Sequence, residues 1–361
     1  MSITFNFLPA NSGDAILVSA DHKNILIDGG HSRTYYRVIK QQLKKIKEEK
    51  QYLDLVVLTH LDNDHINGLL KLLEDKQMIL LVKELWFNAF NQFTVVPTKS
   101  SYKTSIKQGI TFDEFVEKIK TENYSLNFEK YISIEKFDSP IKLFSHLQLT
   151  LLSPNENKLQ RLYQDYEKYK QEQDRKKNLT SSKIGDYHDD VEKLAKKKFE
   201  KDNSPTNGSS IAFILKYKKS SQFLLLADAH IDLIVHSLKE RGYSKQKPLK
   251  IDFVKLSHHG SKHNLNQDLL DIIDTDMFII STNGTHKHPD KETLCKIIMN
   301  PERDKTKKIN LIFNYKTVCD RFKQIFTQDF TEDERSRYNF NLEDIEEKEL
   351  VFGESNGFKM R

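Results

Sequence analysis

The chain has 361 residues, of which 37% are hydrophobic and 30% charged: enough apolar side chain for a packed core, unlike a disordered chain. It contains no run of eighteen or more apolar residues, so no segment is expected to span a bilayer, and residues 1–8 read as a strand rather than a signal peptide. A formal charge of +5 is too mild to select a polyanionic partner, and two cysteines, Cys295 and Cys319, exclude a disulfide framework and fit a reducing cytoplasm.

In chain order, residues 3–8, 15–18 and 24–27 are short apolar runs separated by polar turns, the pattern of consecutive strands. A Lys-rich helical stretch follows over 33–50, then an aliphatic strand over 53–59 and a helix over 65–75. Residues 102–137 mix helix with polar loop, and 141–152 read as one or two strands. The segment 155–203 is rich in Lys, Glu, Gln and Asp, the composition of an exposed helical hairpin or a disordered insertion. Strand patterns return at 210–217 and 223–227. A helix (231–241), a strand (251–256), a helix (265–273) and a strand (277–281) complete the series. Two facing sheets with helices outside would bury such elements.

Thr59-His60-Leu61-Asp62-Asn63-Asp64-His65 carries the densest chemistry. It follows an aliphatic strand and precedes a helix, so His60, Asp62, Asp64 and His65 can converge at one strand-to-helix turn. Imidazole and carboxylate donors without thiols suit zinc, manganese or iron rather than a purely structural zinc. A polar turn with Asp64 capping the helix is the plainer alternative. Asp228, after the apolar run 224–227, and His258-His259, within 256–261, stand at two further strand ends. An aspartate there is commonly a turn former and a histidine pair commonly surface. A two-metal centre, however, needs ligands from several strand ends and a carboxylate able to bridge.

The ordered set Asp28-Gly29-Gly30, His60-x-Asp62-x-Asp64-His65, Asp228 and His258-His259-Gly260 resembles the metallo-β-lactamase fold. Gly13-Asp14-Ala15-Ile16-Leu17, Asp62, Asn207-Gly208-Ser209-Ser210, His258-His259-Gly260-Ser261 and Gly284-Thr285-His286-Lys287-His288-Pro289 are similar to the soluble domain of the ComEC competence-protein family. The likeness runs over 3–75 and 207–295. It implies an α+β fold, a four-layer αββα sandwich over 1–325, with a charged, mainly helical insertion at 155–206 and an acidic C-terminal extension at 326–361.

The resemblance further implies two divalent ions, zinc or manganese before iron. His60 and Asp62 would hold the first, Asp64 and His65 the second, and Asp228 would bridge. His258, in preference to His259, would complete the second site. Asp28 would buttress the metal loop, and His288 would sit at the rim, touching a phosphate or the leaving group. Asp62 stands where the superfamily more often has His, which shifts preference toward manganese or iron. His146 and His188 are the candidates for a further superfamily His, yet neither sits at a strand end, and Leu151-Leu152-Ser153-Pro154 occupies that place. The expected activity is metal-dependent hydrolysis, with Asp64 or Asp228 orienting water and a phosphodiester of nucleic acid or a nucleotide as substrate. Hydrolysis of a small ester, lactone or amide, an iron-based oxidoreductase, and a non-catalytic metal-binding module in a multi-protein assembly, possible in defence, are the alternatives. In the last, the insertion or the tail would meet a protein partner. A cytoplasmic protein without a membrane partner is expected throughout.

Overall fold

The computed structural model describes residues 2–88, 104–122, 125–144, 146–171, 185–219, 221–353 and 358–361. Two eight-stranded sheets dominate it. The first runs, neighbour to neighbour, Phe358–Met360, Leu350–Gly353, Ser2–Phe7, Ile16–Ala20, Lys23–Ile27, Leu53–Val57, Glu84–Trp86 and Asn127–Glu129. The second runs Phe340–Asp344, Ile309–Phe313, Met277–Ile280, Phe253–Lys255, Ser221–Leu225, Ala212–Tyr217, Leu147–Ser153 and Ile141–Phe144. Each sheet is half antiparallel and half parallel, the parallel pairings running from Lys23–Ile27 to Asn127–Glu129 in the first and from Phe340–Asp344 to Ser221–Leu225 in the second.

Side-chain alternation along the strands explains the layering. Ile25, Ile27, Leu55 and Val57 join Phe223, Leu225 and Phe253 in one apolar cluster. Their sequence neighbours Leu26 and Val56 join a second cluster, and Leu224, Leu226 and Val254 a third. Successive strand residues face opposite ways, so the shared cluster is the filling between the sheets and the other two lie under helices. Phe5 packs edge-on against Phe223 and Phe253, with ring centroids 4.5 and 4.9 Å away, in the middle of that filling. The helices Lys40–Glu48 and Asn63–Glu74 cover the first sheet, and Ile231–Glu240, Lys291–Ile298 and Lys316–Asp329 cover the second. This is the four-layer mixed α/β sandwich expected from the resemblance.

One region differs from the reading of the sequence. The stretch 326–361, expected as an acidic extension, supplies one strand to the second sheet and two to the first, Leu350–Gly353 pairing with Ser2–Phe7. Its acidic residues hide an apolar set, since Leu342, Ile345, Leu350, Val351 and Phe352 are all buried. The charged insertion is helical where described, with Glu156–Gln171 and Val191–Ala195, and its residues 172–184 lie outside the described part. Among the described residues no helix is long and apolar enough to cross a membrane.

Candidate metal centre

The motif leaves the C-terminal end of Leu53–Val57 and turns at once into Asn63–Glu74. Asp28, at the end of the neighbouring strand with φ 59°, lies behind that turn. Its Oδ1 accepts from the Thr59 amide at 2.8 Å, and its Oδ2 accepts from Thr59 Oγ1 at 2.7 Å and from His65 Nδ1 at 2.8 Å. The two following glycines let the helix approach closely. The Gly29 amide donates to His65 O and the Gly68 amide to Gly30 O, at 2.8 and 2.9 Å. A Cβ on Gly68 would come within 1.8 Å of Gly29 O.

The second sheet delivers its residues from the ends of Ser221–Leu225 and Phe253–Lys255. Ala227, His258 and His259 all have positive φ, at 46°, 47° and 56°. Such backbone is costly for residues with a Cβ and persists where the surroundings enforce it. Here the His258 amide donates to Ala227 O at 2.9 Å, tying the two loops together. Gly260, at φ 86°, packs its Cα against Pro289.

These loops bring imidazoles and carboxylates from both sheets together. His60 Nε2 lies 3.7 Å from both Asp62 Oδ2 and Asp228 Oδ2, and His65 Nε2 lies 3.6 Å from Asp228 Oδ1. His259 Nε2 lies 3.7 Å from Asp64 Oδ2 and 3.8 Å from Asp228 Oδ2, and His258 Nε2 lies 3.8 Å from the same Asp228 oxygen. Ligand atoms of His60, His65 and Asp228 fall within 4.8 Å of one another, as do those of Asp64, His65 and His259.

The partners of the outer ring nitrogens decide which way the lone pairs point. His65 Nδ1 faces a carboxylate and His259 Nδ1 faces Ser281 O at 2.9 Å, both of which can only accept. Thr59 Oγ1 gives its hydrogen to Asp28, so it accepts from His60 Nδ1 at 3.0 Å. In each neutral ring Nε2 is therefore a bare lone pair. The buried Nε2 atoms of His60, His65 and His259 and Oδ1 of Asp228 have no hydrogen-bond partner. Acceptors facing acceptors out of water are unfavourable unless a cation lies between them, so the donor set fits a divalent ion. Burial, reinforced at His60 by His65, pushes His60 and His259 down to about 3 and about 4, leaving both neutral at pH 7. At His65 burial also opposes charge, but Asp228 and Asp28 outweigh it and raise the ring well above its ordinary range. The centre thus draws positive charge.

His259 rather than His258 lies in the group with Asp64 and His65, whereas the sequence reading put His258 first. Two consecutive left-handed residues let both rings reach Asp228 while their Nδ1 atoms meet different partners. His258 presents Nδ1 to Asn264 Oδ1 at 3.2 Å, with Asp202 Oδ2 3.6 Å away. His288 is at the rim, its ring centroid 5.2 Å from that of His258 and its Nδ1 3.6 Å from Asp290 Oδ2. His146 bonds Asp21 and His188 is exposed, so neither joins the group. Asp14 and Asp202 received no role from the sequence, although Asp14 lay inside a motif that had been singled out. Asp202 sits in a polar stretch with no strand end to mark it.

The metallo-beta-lactamase superfamily model matches residues 8–125, which include Asp28 and the whole His60–His65 motif, and the chain carries a domain of that superfamily. Three solved structures illustrate the likeness. The metallo-beta-lactamase fold protein YhfI from Bacillus subtilis is 9% identical, covering 95% of this chain and 96% of that one, with a TM-score of 0.41. A long-form RNase Z from yeast is 12% identical, covering all 100% of this chain but 49% of its own length, with a TM-score of 0.44. Human short-form tRNase Z is 12% identical, covering 71% and 77%, with a TM-score of 0.34. No curated protein matches the chain.

Proposed function

We propose that this chain is a two-metal hydrolase of phosphodiesters, with nucleic acid or a nucleotide as substrate. The observation that carries the reading is the convergence of His60, His65, His258 and His259 on the single carboxylate of Asp228, at 3.6–3.8 Å. His60 and Asp62, with His258 alongside, would hold one ion; Asp64, His65 and His259 would hold the other; Asp228 would reach both. Ions bound there would supply an acidified water and positive charge for the substrate's oxygens. Asp64, one quarter exposed, would help to orient that water. His288, at the rim beside His258, would touch a phosphate or the leaving group.

A phosphate substrate is supported by the surface beside the double histidine. Lys262 and His263 face Lys197 and Lys198 across a groove of about 240 Å³, which also includes Glu200 and Glu292. Glu292 is already paired with Lys296 and Lys197, so the groove keeps positive charge for a phosphate backbone. The test combines metal analysis of the purified protein with hydrolysis of bis(p-nitrophenyl) phosphate and labelled oligonucleotides by wild type and Asp228→Asn. About two ions per chain, hydrolysis by wild type and a loss of about 10²- to 10³-fold in the variant are expected. Metal uptake without hydrolysis of any phosphodiester would sink the reading.

A further inference from the structure

Beneath the centre lies a charged pair that the hydrolytic reading leaves without a role. Lys255 is 1% exposed and Asp14 is 2% exposed, and Lys255 Nζ donates to Asp14 Oδ2 across the filling between the sheets. Lys255 ends a strand of the second sheet, while Asp14 lies in the first-sheet connection between Ser2–Phe7 and Ile16–Ala20. Replacing such a pair by apolar side chains of similar volume is often neutral or stabilising, so its presence calls for a reason other than stability.

The other contacts of Asp14 supply one. Its amide donates to Asp64 O at 3.3 Å, and the approach is so close that a Cβ on Gly13 would lie 1.7 Å from that carbonyl. Its second oxygen, Oδ1, has no hydrogen-bond partner and lies 3.8 Å from His259 Nδ1. His259 Nδ1 bonds Ser281 O, and Ser281 Oγ in turn donates to Gly13 O at 3.4 Å. One residue therefore touches the first-sheet motif through its backbone, the second sheet through Lys255, and the ring of His259 through its free oxygen. We infer that Asp14 and Lys255 are positioning residues for the metal centre, locking the two sheets in the register that aims His259 Nε2 at Asp64 and Asp228.

A carboxylate oxygen of Asp14 also lies within 4.8 Å of ligand atoms of Asp228 and His259, so direct ligation is the competing role. The ammonium on its other oxygen disfavours a cation there, and the carboxylate acts through His259 instead. The pair is too deeply buried to touch substrate.

This inference rests on the metal-centre reading above, and its test reads metal rather than turnover. Wild type, Asp14→Asn, Lys255→Met and the double variant Asp14→Ala/Lys255→Met are compared for melting temperature, for zinc affinity by chelator competition, and for the visible spectrum of the cobalt-substituted protein. Each single variant strands a buried charge or its partner and should melt below the double variant. The double variant should fold yet bind one of its two ions at least about tenfold more weakly, with an altered cobalt band. If the double variant does not fold, Asp14→Glu, which keeps the ion pair while displacing the free oxygen, is read by the same criterion. Unchanged affinity for both ions in whichever variant folds overturns the inference and leaves the hydrolase reading intact. A wild type that takes up no metal overturns both.

Discussion

The two halves of the centre are built by opposite means. In the first sheet His60, Asp62, Asp64 and His65 occupy one turn, the helix behind them is in near contact with Gly29, and of these four and Asp28 only Asp28 has a positive φ. In the second sheet Asp228 and the two histidines come from different loops, and Ala227, His258 and His259 are all left-handed. The first half gains its geometry from a helix start packed on glycines. The second gains it from strained turns held by bonds such as the one from His258 N to Ala227 O. Spacing along the chain therefore predicts side-chain direction in the first half and fails to in the second.

The histidine pair offers the largest test of that contrast. His259 is 3% exposed and fixed through Ser281 O, whereas the side chain of His258 is 30% exposed and leans on Asn264 and Asp202. His259→Ala should weaken metal binding by at least about 100-fold and His258→Ala by nearer tenfold, measured by chelator competition. The reverse order would restore the ranking read from sequence and break the comparison.

The same contrast sets how much was legible in the sequence. The layered fold followed from alternating strands and amphipathic helices, and the His60–His65 cluster followed from ligand density at a strand end. The choice between His258 and His259 depends on two successive positive φ values at non-glycine residues, which no pattern signals. Asp14 was visible within a motif, but its meaning lies in Lys255, 241 positions away. The tail misled because net acidity hid alternating core residues, with Leu350 and Phe352 joining the inter-sheet cluster.

The glycine contact in the first half gives a test of intermediate size. A Cβ on Gly68 meets backbone, Gly29 O at 1.8 Å, so no side-chain rotation relieves it and the helix bearing Asp64 and His65 must retreat. Gly68→Ala should cost about 1–3 kcal/mol in urea unfolding, together with weaker metal uptake. Gly353, in the same sheet with open space around its Cβ position, is the control: Gly353→Ala should change stability by less than about 0.5 kcal/mol. Equal effects would show that close approach is not what positions the first half.

The smallest effect concerns the far end of that helix. Asp75 terminates Asn63–Glu74 and accepts from Tyr35 Oη at 2.7 Å, from Lys40 Nζ at 2.7 Å and from the amides of Gln77 and Met78. Burial raises its carboxyl, but these donors together outweigh it and hold the group down at about 2. In the unfolded chain an aspartate titrates near about 3.9, so as pH falls the unfolded state takes up its proton first. The stabilisation is therefore complete above about pH 5 and fades as pH drops through 4 toward 2. Lys40, the ion-pair partner of Asp75, is 35% exposed and screened by solvent, which limits the contribution to about 1 kcal/mol or less. Asp75→Asn should lower the midpoint of urea unfolding at pH 7 and leave it nearly unchanged at pH 2.5, with the gap closing between. No gap at pH 7 would mean that the helix end is held by packing of Tyr35 and not by the carboxylate, and the first half would then owe its rigidity to the glycine contact alone.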